Sequence, residues 1–306
     1  MKHALFDSAD SLQFAGHETF PLRILWLKKA YDAVQYGAPS GTFQERSAIA
    51  RFGVGRNMAV AMRYWALASG FVEEAGKELR PTPLGTAILS DDGADPYIER
   101  PATVWLTHWA MASTPQYTTT AYYAFNGMAA NEFDHSTLVD EIFGIVEARD
   151  RKATVGTIKR DVEVFLRGYV RRDGQASEDA AEPLLAELGL IREARFGGWF
   201  EFVRGPKPSL PDSIFAYALA EFWERFGGGN TLTVEHICYA PGSPGRVFKL
   251  DEDSVVTRLI AMEKVTDGAW IWTDTAGLRQ IQRAGQVDRM ALIEKSYPTN
   301  ALKAVA

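Results

Sequence analysis

Apolar residues recur every three or four positions between Pro21 and Tyr36. Leu22, Leu25, Trp26, Ala33 and Tyr36 predict a helix with Pro21 in its first turn. The GAPSGT stretch at 37–42 supplies a loop. From Phe43 to Thr86 the pattern reads as helix, tight turn, helix and short hairpin, the layout of a winged helix. In the second helix, from Arg56 to about Ser69, steps of about 100° put Met58, Ala61, Met62, Trp65 and Ser69 in one arc. Arg56, Asn57, Val60, Arg63 and Tyr64 fall on the opposite side. One face is built for a core; the other offers guanidinium, amide and aromatic groups suited to a DNA groove. Gly53 and Gly55 supply the turn between the helices. After Gly70, FVEEAGKELRPTPLG predicts two short strands about Ala75-Gly76, ended by Pro81 and Pro83.

Similar patterning recurs downstream. SDDGADPYIERP at 90–101 is a turn-rich acidic connector, and PATVWLTHWAMAS at 101–113 predicts a mostly buried helix opened by Pro101. One or two helices fill 118–148. A second unit begins near Thr154: TVGTIKRDVEVFLRGYV is helical, AEPLLAELGLI is a helix ended by Gly189, and REARFGGWFEFVRG is a hairpin turning at Gly197-Gly198. SIFAYALAEFWERF, TVEHICY, DEDSVVTRLIAME and the hairpin VTDGAWIWTDTAG complete a third. The expected fold is α+β and mainly α, with tandem winged-helix-like units. Its expected divisions are a DNA-binding unit at 1–100, a helical connector at 101–150, a second unit at 151–210 and a third at 211–306.

Composition narrows the partners. The 306 residues are 46% hydrophobic and 24% charged, as in an ordinary globular protein. No apolar run approaches the ~20 residues of a membrane span, and MKHALFDSAD lacks a signal-peptide core. The single cysteine, Cys238, excludes an internal disulfide and a multi-cysteine zinc site, which suits a reduced, cytoplasmic protein. A net charge of −6 argues against indiscriminate coating of DNA. Two segments depart from that balance. Arg23, Lys28, Lys29, Arg46, Arg51, Arg56 and Arg63 face only Asp32 and Glu45, a local excess of five positive charges. Arg151, Lys152, Lys159, Arg160, Arg167, Arg171 and Arg172 face Asp150, Asp161 and Glu163, an excess of four. Two local basic zones on an acidic chain fit contact with a limited DNA site. Each zone taken alone also fits a solvated helix face.

FAGHETFPLR at 14–23, then WLKKAYDAV, FGVGRNMAVAMRYW, DPYIERPATVWLTHW and the Gly/Trp-rich hairpin downstream, resemble the SspB-type proteins of bacterial DNA phosphorothioation operons. Their shared domain was first catalogued without a function. The resemblance spans roughly residues 14–290, and its strongest blocks are G-H-E-T-F and the G-V-G-R-N-M turn–helix. It implies a cytoplasmic DNA-nicking component working on double-stranded DNA beside ATPase and sulfur-transfer subunits, in a system that marks host DNA against phage. A non-catalytic recognition and scaffold subunit of the same machinery is the alternative. A homodimer is compatible with either.

Nicking requires in-line attack on a phosphodiester, usually with Mg²⁺ or Mn²⁺, a general base, or a side-chain nucleophile. No established nuclease signature is present. The best cluster is His17 as base, Glu18 to hold a metal or orient the imidazole, and Arg23, Lys28 and Lys29 to grip a phosphate. The competing reading makes His17-Glu18-Thr19 a cap for the following helix. Expected DNA contacts are Lys28, Lys29, Arg51, Arg56, Asn57, Arg63 and Tyr64, with Lys77 and Arg80 in the wing. Among the remaining candidates, His108 reads as a core histidine. His236-Ile237-Cys238 supplies two metal ligands without a third, and Asp91, Asp92 and Asp95 read as a solvated turn before a cation site. Tyr122-Tyr123 and Trp270/Trp272 suit burial as well as base stacking.

Overall fold

The structure, a computed structural model, describes residues 11–149, 152–171, 183–194, 197–227, 229–275 and 277–297. Its described helices are α1 (Ile24–Val34), α2 (Ser47–Phe52), α3 (Arg56–Ala68), α4 (Pro83–Leu89), α5 (Pro101–Ala112), α6 (Thr119–Asn126), α7 (His135–Ala148) and α8 (Val155–Tyr169). They continue with α9 (Asp212–Phe226), α10 (Val234–Tyr239), α11 (Pro244–Val247), α12 (Glu252–Val265) and α13 (Arg289–Glu294). The strands are β1 (Ala38–Pro39), β2 (Val72–Ala75), β3 (Glu78–Pro81), β4 (Glu132–Asp134), β5 (Ile191–Glu193), β6 (Trp199–Phe202), β7 (Thr231–Thr233), β8 (Trp270–Thr275) and β9 (Leu278–Arg283).

Helices dominate, and the strands form three small antiparallel sheets ordered β1-β3-β2, β4-β6-β5 and β7-β9-β8. Each sheet is made the same way: a very short strand, then helical segments, then a hairpin whose returning strand lies in the middle. In the first, Val72 pairs with Pro81 and Ala75 with Glu78, while Ala38 pairs with Leu79 across the other edge. Gly76, at φ 66°, closes that hairpin in the left-handed region where a Cβ is costly. The last residue of β4 caps the next helix through the Asp134 carboxylate, which accepts from the Thr137 amide. Thr233 at the end of β7 does the same for α10 through the His236 amide.

Several expectations shift in register. The first helix begins at Ile24, after Pro21, with Arg23 at its N-cap and no side-chain cap. Pro81 ends β3 as expected, but Pro83 opens α4, with Thr82 accepting from the Gly85 amide. The second sheet starts at Glu132, so part of the expected 101–150 connector pairs with the hairpin near residue 200. AEPLLAELGLI forms a 3-10 turn at Leu184–Leu188, closed by Gly189 at φ 58°, while Ala181 and Glu182 lie outside the described residues. In the second basic zone, Asp150, Arg151 and Arg172 also lie outside them.

Helix α5 is buried on nearly every side and packs on α6, α9 and the 3-10 turn. At its middle the His108 Nε2 donates to the Val247 carbonyl at 2.8 Å, and Nδ1 accepts from the Tyr169 hydroxyl at 2.8 Å. Burial pulls the His108 pKa down to about 3, so it is a neutral core histidine. Nearby, the wholly buried Lys249 donates to the Phe125 carbonyl and lies 3.8 Å over the Phe202 ring. Burial, with Arg204 and Arg246 adding repulsion, holds its pKa well below the ordinary lysine value. Tyr122, Tyr123 and Trp270 are likewise buried, which accounts for them as core aromatics. Cys238 is buried, its thiol pushed up to about 12, while His236 is exposed and bonds Thr233.

Candidate nucleic-acid interface

Local chemistry sets the start of α3. Gly53 sits at φ 67° and closes α2, and Gly55 is the extended N-cap of α3, with no side-chain cap. The first-turn amides of α3 therefore remain open at the surface, beside the exposed side chains of Arg56 and Asn57. Neither side chain has a hydrogen-bonding partner among the described residues. Lys77 is exposed at the hairpin turn, and Arg80 pairs with Glu78 at 2.7 Å.

Further along α3 the expected open face narrows. Arg63 is half-buried and pairs with Glu74 of β2. Tyr64, expected to face outward, is only 6% exposed and donates its hydroxyl to the Tyr117 carbonyl at 2.6 Å. Burial first, and then the Asp161 charge, raise its pKa well above the ordinary tyrosine value. Tyr64 belongs to the core because the turn at 15–20 covers that side of the helix.

The cations of α1 and α2 have structural partners. Lys28 is buried, with its ammonium on Asp32 at 2.8 Å, Asp91 at 2.6 Å and the Leu89 carbonyl at 3.2 Å. Burial opposes its charge, yet these carboxylates leave its pKa raised. Lys29 donates to the Phe52 carbonyl at the end of α2, and Arg51 returns the contact to the Ala33 carbonyl near the end of α1. Each helix thus supplies a cation to the carbonyl end of the other. Arg23 lies over the Trp26 ring, 5.5 Å from its centroid. The expected solvated turn is also ordered: Asp95 is buried, accepting from the amides of Glu99 and Arg100 at the start of α5.

The GHET segment is a folded turn with an unusual backbone. Ala15, Glu18 and Thr19 have φ of 62°, 49° and 68°, each a left-handed conformation in a residue with a Cβ. A Cβ on Gly16 would lie 2.4 Å from Cδ2 of Tyr64, so only glycine fits there. His17, 2% exposed, points inward between Trp65 and Tyr64, with ring centroids 5.9 and 5.8 Å away. Its Nδ1 accepts from the Thr19 amide at 3.1 Å, so Nε2 carries the hydrogen and donates to Asp161 Oδ1 at 2.8 Å. Asp161 also accepts from the Ala15 amide at 2.6 Å and the Thr120 hydroxyl at 2.5 Å. A cavity of about 30 Å³ beside this cluster has room for a water molecule.

Glu18 and His17 part company here. Glu18 is exposed, so the carboxylate that orients His17 is Asp161, on α8. A His–Asp pair orients a base when the other ring nitrogen faces the group to be deprotonated. In this fold that nitrogen is occupied by a backbone amide. Nor do His17, Glu18 or Thr19 cap α1, whose N-cap is Arg23. Among the described residues no three His, Cys, Asp or Glu side chains converge to hold a metal ion.

The turn joins the two basic zones. It packs on α3 through Gly16 and His17, and is bolted to α8 through Asp161. Arg167 of α8 also reaches the Thr19 carbonyl at 3.5 Å. Asp161 lies 144 positions from His17, a pairing that the local pattern does not predict. The available signal was an acid on the apolar arc of 155–169, beside Ile158, Val162 and Phe165.

Comparison with known proteins follows the same boundaries. A family described as a protein of unknown function, DUF4007, matches residues 14–297, from the edge of this turn to the last described residue. No curated protein matches the chain. A magnesium ion-bound SspB crystal structure superposes with a TM-score of 0.87 at 26% identity, covering 99% of this chain and 92% of that one. A second SspB crystal structure gives 0.85 at 27%, covering 98% and 92%. The resemblance carried by GHETF and GVGRNM therefore extends through the whole fold. Matched from Phe14 to Tyr297 and similar to SspB over nearly its full length, the chain belongs to the DUF4007 family.

Proposed function

We propose that this protein is a DNA-binding component of a bacterial DNA phosphorothioation system, and that its three strand–helix–hairpin units are winged-helix-like. The observation supporting DNA contact is the open first turn of α3, where Arg56 and Asn57 project unpaired from a helix that packs against β2 of the hairpin carrying Lys77. Arg matches guanine and Asn matches adenine in the major groove, and wing cations reach the backbone. Likeness to SspB supports a place in such a system, and the reading extends it to double-stranded DNA as ligand, ATPase and sulfur-transfer subunits as partners, and a cytoplasmic location. In this reading Lys28 and Tyr64 support the interface from beneath, while Lys29, Arg51 and Arg63 stiffen it.

Strand nicking is the second reading. It rests on the likeness to SspB and on the strain gathered at Ala15, Glu18 and Thr19, a feature that concentrates at functional sites. With no group of three His, Cys, Asp or Glu side chains among the described residues, Mg²⁺ or Mn²⁺ in this reading would be held by fewer protein ligands together with the DNA phosphate. Plasmid relaxation with Mg²⁺, Mn²⁺ or EDTA separates the readings. His17→Ala disturbs a buried junction, so the informative variant is Glu18→Gln at the surface. Nicking by wild type, lost in a folded and DNA-binding Glu18→Gln, assigns the chemistry to the turn. Binding without nicking by wild type makes this the recognition and scaffold subunit. Failure to bind duplex DNA sinks both.

A further inference from the structure

Helix α8 presents a charged face that its own unit does not use. At about 100° per residue Gly156, Lys159, Arg160, Glu163 and Arg167 share one arc, opposite Ile158, Asp161, Val162 and Phe165. Lys159 and Arg160 are exposed and Arg167 is half-buried; Lys152 is exposed just before the helix. Arg160 folds onto the Gly156 carbonyl of its own helix, and Arg167 touches the Thr19 carbonyl. None of these four cations pairs with a carboxylate among the described residues, and Glu163 is the acid on the arc. Other surface cations are matched, as Arg80 is with Glu78, Arg192 with Glu201, Arg279 with Glu252 and Lys295 with Asp267. Those left without a carboxylate among the described residues, such as Arg46, Arg56, Lys77, Arg204 and Lys264, do not line up along one helix face. On a chain of net charge −6, a strip left unmatched in this way concentrates positive potential.

Its position gives that potential a direction. The turn at 15–20 lies between α3 and α8, seated on Tyr64 and Trp65 of one and fastened to Asp161 and Arg167 of the other. We infer that α8 is a second contact strip for the same duplex that α3 engages, holding the sugar–phosphate backbone without reading bases. This rests on the DNA-binding reading above. The cations from Lys159 to Arg167 span ~12 Å of helix, enough to meet more than one phosphate. The arc carries no amide or aromatic side chain, and Arg160 and Arg167 each already bond a backbone carbonyl, which disfavours a two-pronged contact with guanine; its contribution is electrostatic and independent of sequence. Glu163 sets a limit on that contact.

The test is duplex affinity measured from about 50 to about 200 mM salt for wild type and a Lys159→Gln/Arg160→Gln/Arg167→Gln variant. An Arg192→Gln/Lys264→Gln/Lys295→Gln variant removes the same charge elsewhere. The α8 variant should lose roughly tenfold or more in affinity, and its slope of log K against log salt should shrink by ~2–3, equally on specific and scrambled duplexes. The control should keep the wild-type slope. Equal losses in both variants would reduce the effect to net charge, and an unchanged α8 variant would remove the strip; either result overturns the inference while leaving α3 as a binding element. No binding by wild type would overturn the DNA reading itself.

Discussion

Both nitrogens of the His17 imidazole are engaged, one by Asp161 and the other by the Thr19 amide, while Trp65 and Tyr64 flank its ring. This hydrogen-bonding pattern fixes the orientation of the ring and offsets three unfavourable φ angles nearby. The motif is therefore intelligible residue by residue: glycine for clearance, histidine for the bolt, and an aromatic after it whose carbonyl receives the Trp65 indole at 2.9 Å. A Gly16→Ala variant, whose new methyl would meet the Tyr64 ring, should lose about 1–3 kcal/mol of stability. Urea unfolding would show this as a lower midpoint with an unchanged slope. An unshifted midpoint would mean that the ring yields freely and that the turn is not tightly seated.

At the level of the element, what a cation does depends on where its helix ends. Arg51 and Arg56 lie five positions apart in one basic stretch, yet Arg51 turns back onto the Ala33 carbonyl of α1 while Arg56 projects from the first turn of α3. Substituting each by alanine should split binding from stability. Arg56→Ala should weaken duplex binding by ~1–3 kcal/mol at matched salt, as for a base-reading arginine, with little change in melting. Arg51→Ala should cost about 1 kcal/mol of stability through a lost hydrogen bond to an end-of-helix carbonyl. Binding titrations and thermal unfolding on the same samples would check the pair. A binding loss for Arg51→Ala alone would reverse the assignment. Periodicity made α3 visible and put Arg56 and Asn57 outside, but Tyr64 sits at the edge of the two arcs. Only the turn packed over that edge decided its side.

At the scale of the molecule, α5 ties the units together, and His108 is the polar centre of that tie. Its neighbours come from α6, α8 and α11, and among the described residues no carboxylate bonds it to stabilise a charge. Its folded pKa of about 3 lies below the ordinary histidine value of 6.5. The unfolded chain therefore takes up a proton first as pH falls. The stability tied to this neutral ring is complete above pH ~6.5 and is lost as pH drops toward about 3, by ~1.4 kcal/mol per pH unit within that window. A His108→Gln variant should be less stable than wild type at neutral pH, and its stability should fall less steeply between about pH 6 and 4. Urea titrations across that range would test it. Parallel pH profiles for the two proteins would show that acid lability arises elsewhere.

The sequence by itself determined most helices, the three hairpins and the buried character of α5, because these follow from contacts within a dozen residues: apolar spacing, glycines at left-handed turns and prolines at helix starts. It also marked both basic zones and the GHET block. Tertiary structure alone decided the rest. The strands β1, β4 and β7 are two or three residues long, too short to alternate visibly, and they exist because distant hairpins offer them an edge. Asp161 reads as an ordinary helix acid until the fold carries it across 144 positions to His17. Lys28 looks like a free cation until Asp91 closes over it. In each case the local pattern specifies which groups are available, whereas burial and long-range pairing specify which of them remain free to meet a ligand.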